Sequence, residues 1–250
     1  MLIERQKSIL NLLNETSPLC IEELAAQLEV SEVTIRRDLV VLERQGLIIR
    51  ERGKASLPSF GFEPLFNARQ KQNLTEKRKI AKYVANQIHE GEVIALDVGT
   101  TTMEIAKELV KKSGITVFTS SLQVATILSK GNLEVYVLGG LIRKNEMSLT
   151  GTLAIETINK FNFDRFYVGI AGMEYNYGPT DFSLEEAEVK KAFIANSREV
   201  IAVVDHTKFT QTALVKICEF EQINEIITDK VENHPISPEL LRKTKVTFVE

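Results

Sequence analysis

The chain has 250 residues, 44% of them hydrophobic and 26% charged, with a formal net charge of −3. That balance belongs to a globular protein with a buried core, and the length suits a small domain joined to a medium one. No apolar run reaches the roughly 18–20 residues of a membrane span, and the charges inside MLIERQKSIL are not the pattern of a secretory leader, so a cytoplasmic protein is expected. Cys20 and Cys218 form no C-x-x-C pair, and His89, His206 and His234 are dispersed, so neither a metal centre nor a redox pair is expected. Cys20, in the apolar stretch PLCIEEL, reads as a buried structural thiol.

Residues 1–57 read as three helices and a hairpin. Leu2, Ile9 and Leu13 recur at helical spacing, with charges between them. Pro18 ends the following connection, and IEELAAQL sets Ile21, Leu24, Ala25 and Leu28 on one stripe. Ser31 is a suitable N-cap for EVTIRRDLVVLERQG, which Gly46 closes. LIIR and ASLP are short extended pieces around the turn Glu51-Arg52-Gly53-Lys54. Residues 58–74, with Pro58, Gly61 and Pro64 among Phe60, Phe62, Leu65 and Phe66, read as a linker whose aromatics dock on a domain face.

From Thr75 strands and helices alternate. Strands are predicted at 93–97, 115–119, 134–139, 165–172, 199–205, 225–229 and 245–249. Apolar strands separated by helices imply a mostly parallel sheet covered on both faces, an α/β domain over 75–250.

Two helices joined by a short turn, the second N-capped and basic, match a helix-turn-helix, here winged by the hairpin. With Ile35, Leu39 and Leu42 turned to the core, the third helix presents Val33, Arg37, Val40 and Arg44, flanked by Thr34 and Arg36. Such a face suits a DNA groove, where apolar groups meet thymine methyls and arginines meet guanine edges or phosphates. Residues 33–57 concentrate positive charge in Arg36, Arg37, Arg44, Arg50, Arg52 and Lys54, while residues 1–32 carry an acidic excess. Ser31, Val33, Thr34, Arg36, Arg37, Arg44, Arg52 and Lys54 are the candidate DNA-binding residues. A small helical bundle used for dimerisation is the alternative.

The strongest chemical signal beyond residue 57 is VIALDVGTTTMEIAKEL. A strand ends at Asp97, Gly99 permits a tight turn, and Thr100, Thr101 and Thr102 open an amphipathic helix. Backbone N–H groups and hydroxyls at a helix N-terminus favour an anion such as phosphate; simple N-capping is the alternative. Other strand ends carry Thr119-Ser120-Ser121, Gly139-Gly140 followed by Arg143, and Asp205-His206-Thr207-Lys208. Open α/β sheets bind ligands at such ends, and hydroxyls with cations together suit an anionic polyol. Neither G-x-x-x-x-G-K-[ST] nor G-x-G-x-x-G follows a strand, and no cofactor is expected.

Two sets of motifs carry a resemblance. The string VSEVTIRRDLVVLERQGLI, with Arg5 in the first helix, resembles the signature of the DeoR family of bacterial repressors. The wing departs from the family's frequent His-Gly-Gly-Ala turn, reading Arg52-Gly53-Lys54-Ala55. The Asp97–Thr102 turn, Gly139-Gly140 with Arg143, and Asp205 to Lys208 are similar to the family's sensor domain. The resemblance implies a fold like ribose-phosphate isomerase, operator DNA as partner, a phosphorylated sugar as effector, a homodimer or homotetramer, and ligand release of DNA through a changed dimer geometry. It further implies phosphate at Thr100 to Thr102, with Asp97, Arg143, Asp181 and Lys208 contacting the remainder or shaping the site.

Catalysis is a separate question, because the resemblance includes isomerases. Those enzymes carry an Asp-Gly-Ala-Asp-Glu loop; here the strand end reads Gly169-Ile-Ala-Gly-Met-Glu174, without the aspartates. A lone Glu174 has no paired base for proton transfer between sugar carbons, so binding without turnover is expected. An isomerase with an accessory DNA-binding domain is one rival. A sugar-kinase-like repressor, suggested by Asp-x-Gly-Thr-Thr, would need two antiparallel strands at that turn, where a helix is predicted.

Overall fold

A computed structural model describes residues 3–44, 47–57, 63–232 and 236–250. Leu2, Gly46, Pro58, Phe60, Gly61, Phe62, His234 and the Arg44 side chain therefore lie outside the described residues. Backbone contacts divide the chain into two units, Met1–Gln72 and Asn73–Glu250.

The first unit holds α1 (Glu4–Glu15), β1 (Leu19–Cys20), α2 (Ile21–Gln27), α3 (Glu32–Arg44), β2 (Ile49–Glu51), β3 (Lys54–Ser56) and α4 (Phe66–Lys71). The strands form a small antiparallel sheet in the order β1-β3-β2. Ile9, Leu13, Leu24, Ile35, Leu39 and Leu42 meet in one core, as the helical stripes require. The β2–β3 turn runs through Arg52 at φ 48° and Gly53 at φ 82°. β1 was not anticipated from sequence, being two residues long. α4 occupies part of the stretch expected as a linker; Phe66 is buried and Leu65 exposed. Cys20 is corrected from a buried thiol: it is half-buried and caps α2, its Sγ accepting from the Glu23 N–H at 3.4 Å.

One polar contact ties this core together. The buried Asp38 on α3 accepts from Arg5 Nε at 2.5 Å and from Gln6 Nε2 at 3.1 Å, both on α1. The aspartate of the Ile-Arg-Arg-Asp-Leu string thus points inward and ties α3 to α1.

The second unit holds α5 (Leu74–Gln87), β4 (Val93–Leu96), α6 (Thr100–Leu109), β5 (Ser113–Thr119), α7 (Leu122–Leu128), β6 (Asn132–Val137), β7 (Leu141–Arg143), β8 (Ser148–Thr150), α8 (Thr152–Ile158), β9 (Phe163–Val168), β10 (Thr180–Asp181), α9 (Leu184–Ala195), β11 (Ser197–Val203), β12 (Val215–Lys216), β13 (Glu225–Asp229), α10 (Pro238–Lys243) and β14 (Lys245–Val249). Seven strands form one sheet in the order β14-β13-β11-β9-β4-β5-β6, and every neighbouring pair is parallel. All seven predicted strands are its members. β7 and β8 form a separate hairpin, and β10 pairs with β12.

The sheet is covered on both faces. Ile80, Val84, Ile105, Leu109 and Leu128 of α5, α6 and α7 pack against Ile94, Val117 and Ile201. On the other face Ala154, Ile158, Ala187 and Phe193 of α8 and α9 pack against Ala95, Phe118, Phe166 and Ala202. From β4 the chain builds outward to β5 and β6, then returns to β4's other side to place β9, β11, β13 and β14. The topological switch therefore lies between β4 and β9, whose carboxyl ends open the crevice where such sheets take ligands.

Replacing Asp38 with Ala is expected to lower the stability of the first unit by about 2 kcal/mol, the loss of a buried charged hydrogen-bond acceptor. Denaturant unfolding of the full chain measures it; an unchanged midpoint for that unit means the contact carries no stability.

Candidate functional sites

Of the described residues expected at DNA, Ser31, Val33, Arg36 and Arg37 are exposed at the start and first turns of α3, and Thr34 is half-buried. The exposed Ser31 caps the helix, its Oγ accepting from the Thr34 N–H at 3.3 Å, and the two hydroxyls are 2.9 Å apart. Val33 is 57% exposed, a large apolar group that no core claims. Arg36 is exposed and pairs with Glu32 at 2.9 Å, while Arg37 is exposed one position on. Val40 is half-buried. Arg52 and Lys54 are exposed on the β2–β3 turn, and Arg50 pairs with Glu43 at 3.3 Å. The structure thus separates the string Thr-Ile-Arg-Arg-Asp-Leu into an inner set, Ile35, Asp38 and Leu39, and an outer set, Arg36 and Arg37.

In the second unit a buried ion cluster occupies the switch point. Lys190, on α9, is 3% exposed. Its Nζ lies 2.5 Å from Asp97 Oδ2, 2.9 Å from Asp181 Oδ2 and 2.7 Å from the Gly169 carbonyl. Asp97 Oδ2 also accepts the Gly169 N–H at 2.9 Å. Burial opposes charge on Lys190, and the carboxylates of Asp181 and Asp97 outweigh it, holding the ammonium above the usual lysine range. Burial pushes the Asp97 carboxyl up, against the pull of Lys190. The three Lys190 protons have three acceptors, so this cluster closes on itself. Asp97 and Asp181, expected to contact a ligand or to shape its site, hold β4, β9, β10 and α9 together.

One turn earlier on α9, Glu186 is also buried. Its Oε1 accepts from Arg143 Nη1 at 3.2 Å and from Ser148 Oγ at short range, joining α9 to the β7–β8 hairpin. Burial, then Asp181, pushes the Glu186 carboxyl up to about 7, against Lys190, Ser148 and Arg143. Gly140 opens that hairpin at φ 149°, and a Cβ there would stand 2.4 Å from the Thr150 carbonyl; only glycine permits the approach.

The α6 turn is the stretch expected to take an anion. Gly99 sits at φ 156° as N-cap, and no side chain caps the helix. The first-turn N–H groups of a helix have no partner within it. Thr100, Thr101 and Thr102 are buried, and Thr102 Oγ1 donates to the Gly99 carbonyl at 3.0 Å. Thr119 and Ser120, in contrast, serve the neighbouring loops. Thr119 Oγ1 accepts from the Ser121 N–H at 3.0 Å, and the Ser120 carbonyl accepts from the Leu149 N–H at 2.8 Å. Gly139 is exposed between β6 and β7.

A second polar group stands at the end of β11. Asp205 is buried and accepts from Asn73 Nδ2 at 2.9 Å, the Thr207 N–H at 3.1 Å and the Thr207 hydroxyl. Burial raises its carboxyl, and Lys208, Lys77 and these hydrogen bonds outweigh that, leaving it below the usual range. Lys208 Nζ donates to Gln211 Oε1 at 3.0 Å. Asn73, the first residue of this unit, adopts a left-handed conformation at φ 50°.

Sequence reasoning missed Glu186, Lys190, Ser148 and Lys77. A signal existed on α9: Glu186, Lys190 and Phe193 share one stripe at i, i+4 and i+7, and Phe193 is fully buried, so charged groups beside it require partners.

Among the described residues no group of His, Cys, Asp and Glu is disposed to hold a metal ion, and no helix is long and apolar enough to cross a membrane.

Comparison with known proteins agrees with both units. The profile of the DeoR-like helix-turn-helix domain matches residues 5–59, and that of the DeoR C terminal sensor domain matches residues 72–230. The chain belongs to the DeoR family of DNA-binding transcriptional regulators. It is 34% identical over 227 residues to the Glycerol-3-phosphate regulon repressor of Escherichia coli strain K12, covering 90% of each chain. It is 36% identical over 232 residues to the HTH-type transcriptional repressor GlcR of Bacillus subtilis strain 168, covering 92% of this chain and 89% of that one. Among solved structures, ribose 5-phosphate isomerase A from Methanocaldococcus jannaschii aligns at a TM-score of 0.41 and 16% identity over 55% of each chain. The relatives with family-level identity are repressors, so the regulator reading stands over the isomerase one.

Two outcomes follow for α9. Lys190→Met leaves Asp97 and Asp181 buried without a cation and is expected to cost about 3–5 kcal/mol of sensor stability; denaturant unfolding reads it. For Glu186, the folded state holds a proton that the unfolded chain releases near 4.5. Its contribution is therefore lost as pH rises from about 4.5 to about 7, a fall of about 3 kcal/mol. Glu186→Gln should flatten that part of the stability–pH curve; a curve parallel to wild type counts against the shift.

Proposed function

We propose that this protein represses a sugar-metabolism operon from the cytoplasm, and that a phosphorylated sugar, or a related phosphorylated metabolite, bound in the second unit controls its hold on operator DNA. The observation that carries the effector half is the α6 turn: a glycine-capped helix N-terminus with buried threonines, at the switch point of a parallel sheet. Phosphate meets the first-turn N–H groups and the Thr100 and Thr101 hydroxyls. Arg143 and Lys208 supply positive charge at the rim, and Glu186, with Ser148, offers acceptors to sugar hydroxyls. Asp97 and Asp181 act through Lys190 by fixing the strand ends. Thr119, Ser120, Gly139 and Gly140 shape the crevice. One of the relatives named above, a glycerol-3-phosphate regulon repressor, supports phosphorylated small molecules as the ligand class.

At the other end, Val33, Thr34 and Arg37 face base edges, with Ser31, Arg36, Arg44, Arg52 and Lys54 toward phosphates. The protein works as a homodimer or homotetramer, because one small domain buries too little surface for specific affinity and paired half-sites require paired readers.

Arg37→Ala is expected to weaken operator binding by at least tenfold, about 1.4 kcal/mol, with sugar-phosphate binding unchanged. Thr101→Val should keep operator affinity and lose the response to the inducer. Fluorescence anisotropy on operator DNA, with and without a panel of sugar phosphates, tests both. Release of DNA by the Thr101 variant at the wild-type ligand concentration would move the phosphate site elsewhere.

A further inference from the structure

The sheet has two edges, and they are built differently. β14 opens with Lys245, a charged residue of the kind that blocks strand-to-strand association. β6 carries neither lysine nor proline, and between Asn132 and Ile142 the only charge is Glu134. Around this edge stand exposed apolar side chains: Tyr136 and Val137 on β6, Leu141 and Ile142 on β7, Leu153 on α8, and Phe161 after it. Leu141 is 75% exposed and Leu153 66%. Tyr136 stacks on the buried Phe118 with ring centroids 4.5 Å apart, and Phe161 packs on the same ring at 4.7 Å. The aromatic part of the patch is thus held rigid from beneath.

We propose that the β6 edge with the β7–β8 hairpin is the surface through which two copies of this chain associate about a twofold axis. Three observations select a second copy as the occupant. At roughly 200 Å² for a large apolar side chain, the six exposed fractions leave on the order of 600 Å² of apolar surface. That is most of the ~800 Å² each partner gives up in a stable interface of standard size, and it is as large as the largest patch of an ordinary monomer. A patch almost without charge is complementary to itself, as a twofold contact requires. An open strand edge can moreover face an identical edge antiparallel across that axis.

The location gives the association a use. The hairpin that borders the patch also carries Arg143 and Ser148, both bonded to Glu186. The same two strands therefore touch the effector crevice and the partner copy. This rests on the regulator reading, in which the spacing of two DNA readers is the controlled quantity.

Sedimentation equilibrium of the full chain without ligand, at micromolar concentration, is the test. The wild type should show at least twice its monomer mass of 28.1 kDa, and Leu141→Glu with Val137→Glu should halve the wild-type mass. Leu153→Glu, on an exposed helix face, should act in the same direction with no risk to the sheet, and Leu241→Glu, exposed on α10, should not. Thermal melting identifies any variant that fails to fold. A monomeric wild type, an unchanged mass for folded Leu141/Val137 and Leu153 variants, or equal dissociation by Leu241→Glu overturns the assignment. Melting of the same samples with sugar phosphates separates the two ideas: a dimer that the edge variants dissociate, but that no sugar phosphate stabilises, sinks the effector reading and leaves the interface standing.

Discussion

A single buried ammonium holds the ligand end of the sensor together. Lys190 reaches from the middle of α9 to Asp97 at the end of β4, to the Gly169 carbonyl at the end of β9, and to Asp181 on β10. β4 and β9 are the strands where the chain reverses its direction of building, so nothing in the connectivity keeps their loops in fixed relation. The cation does so. Removing two carboxylates and an ammonium from water is costly, and is tolerable only when each finds its partners; here every Lys190 proton has one. The Gly99 turn begins two residues after Asp97, so its position descends from this cluster.

The same division of labour recurs in the DNA-binding unit. A string of residues that reads as one motif is two sets in space. Asp38 binds Arg5 and Gln6 inside the domain, while Arg36 and Arg37 remain outside. Inward residues tie α3 to α1, and the outward ones are left in solvent. In both units, then, conspicuous charged residues of the sequence serve to position others: Asp38 for α3, and Asp97 and Asp181 for the α6 turn.

Much of the architecture was legible because it is local and periodic. The seven sheet strands announce themselves as apolar runs, and the stripe Ile35, Leu39, Leu42 orients α3 without further information. What escaped was non-local. β1 owes its pairing to β3, far along the sequence, Leu19 facing Ala55 having no local pattern to declare it. Lys190 sits in LEEAEVKKAFIAN, which reads as an ordinary amphipathic helix until Asp97, 93 positions away, is seen beside it. Thr119 and Ser120 read as ligand hydroxyls, while the bonds they make in the fold are a cap at Thr119 Oγ1 and a backbone bond at the Ser120 carbonyl. Hydroxyls at strand ends serve both purposes with the same residue types, so only geometry separates them.

The left-handed Asn73 deserves its place in this picture for what it does to the chain's path. It is where the sensor's polypeptide starts, and its amide is hooked to Asp205, a carboxylate embedded among Lys77, Thr207 and Lys208. The start of the second unit is thus pinned to the end of β11. A change in the charges around Asp205 is therefore felt at the residue with which the sensor's own polypeptide begins.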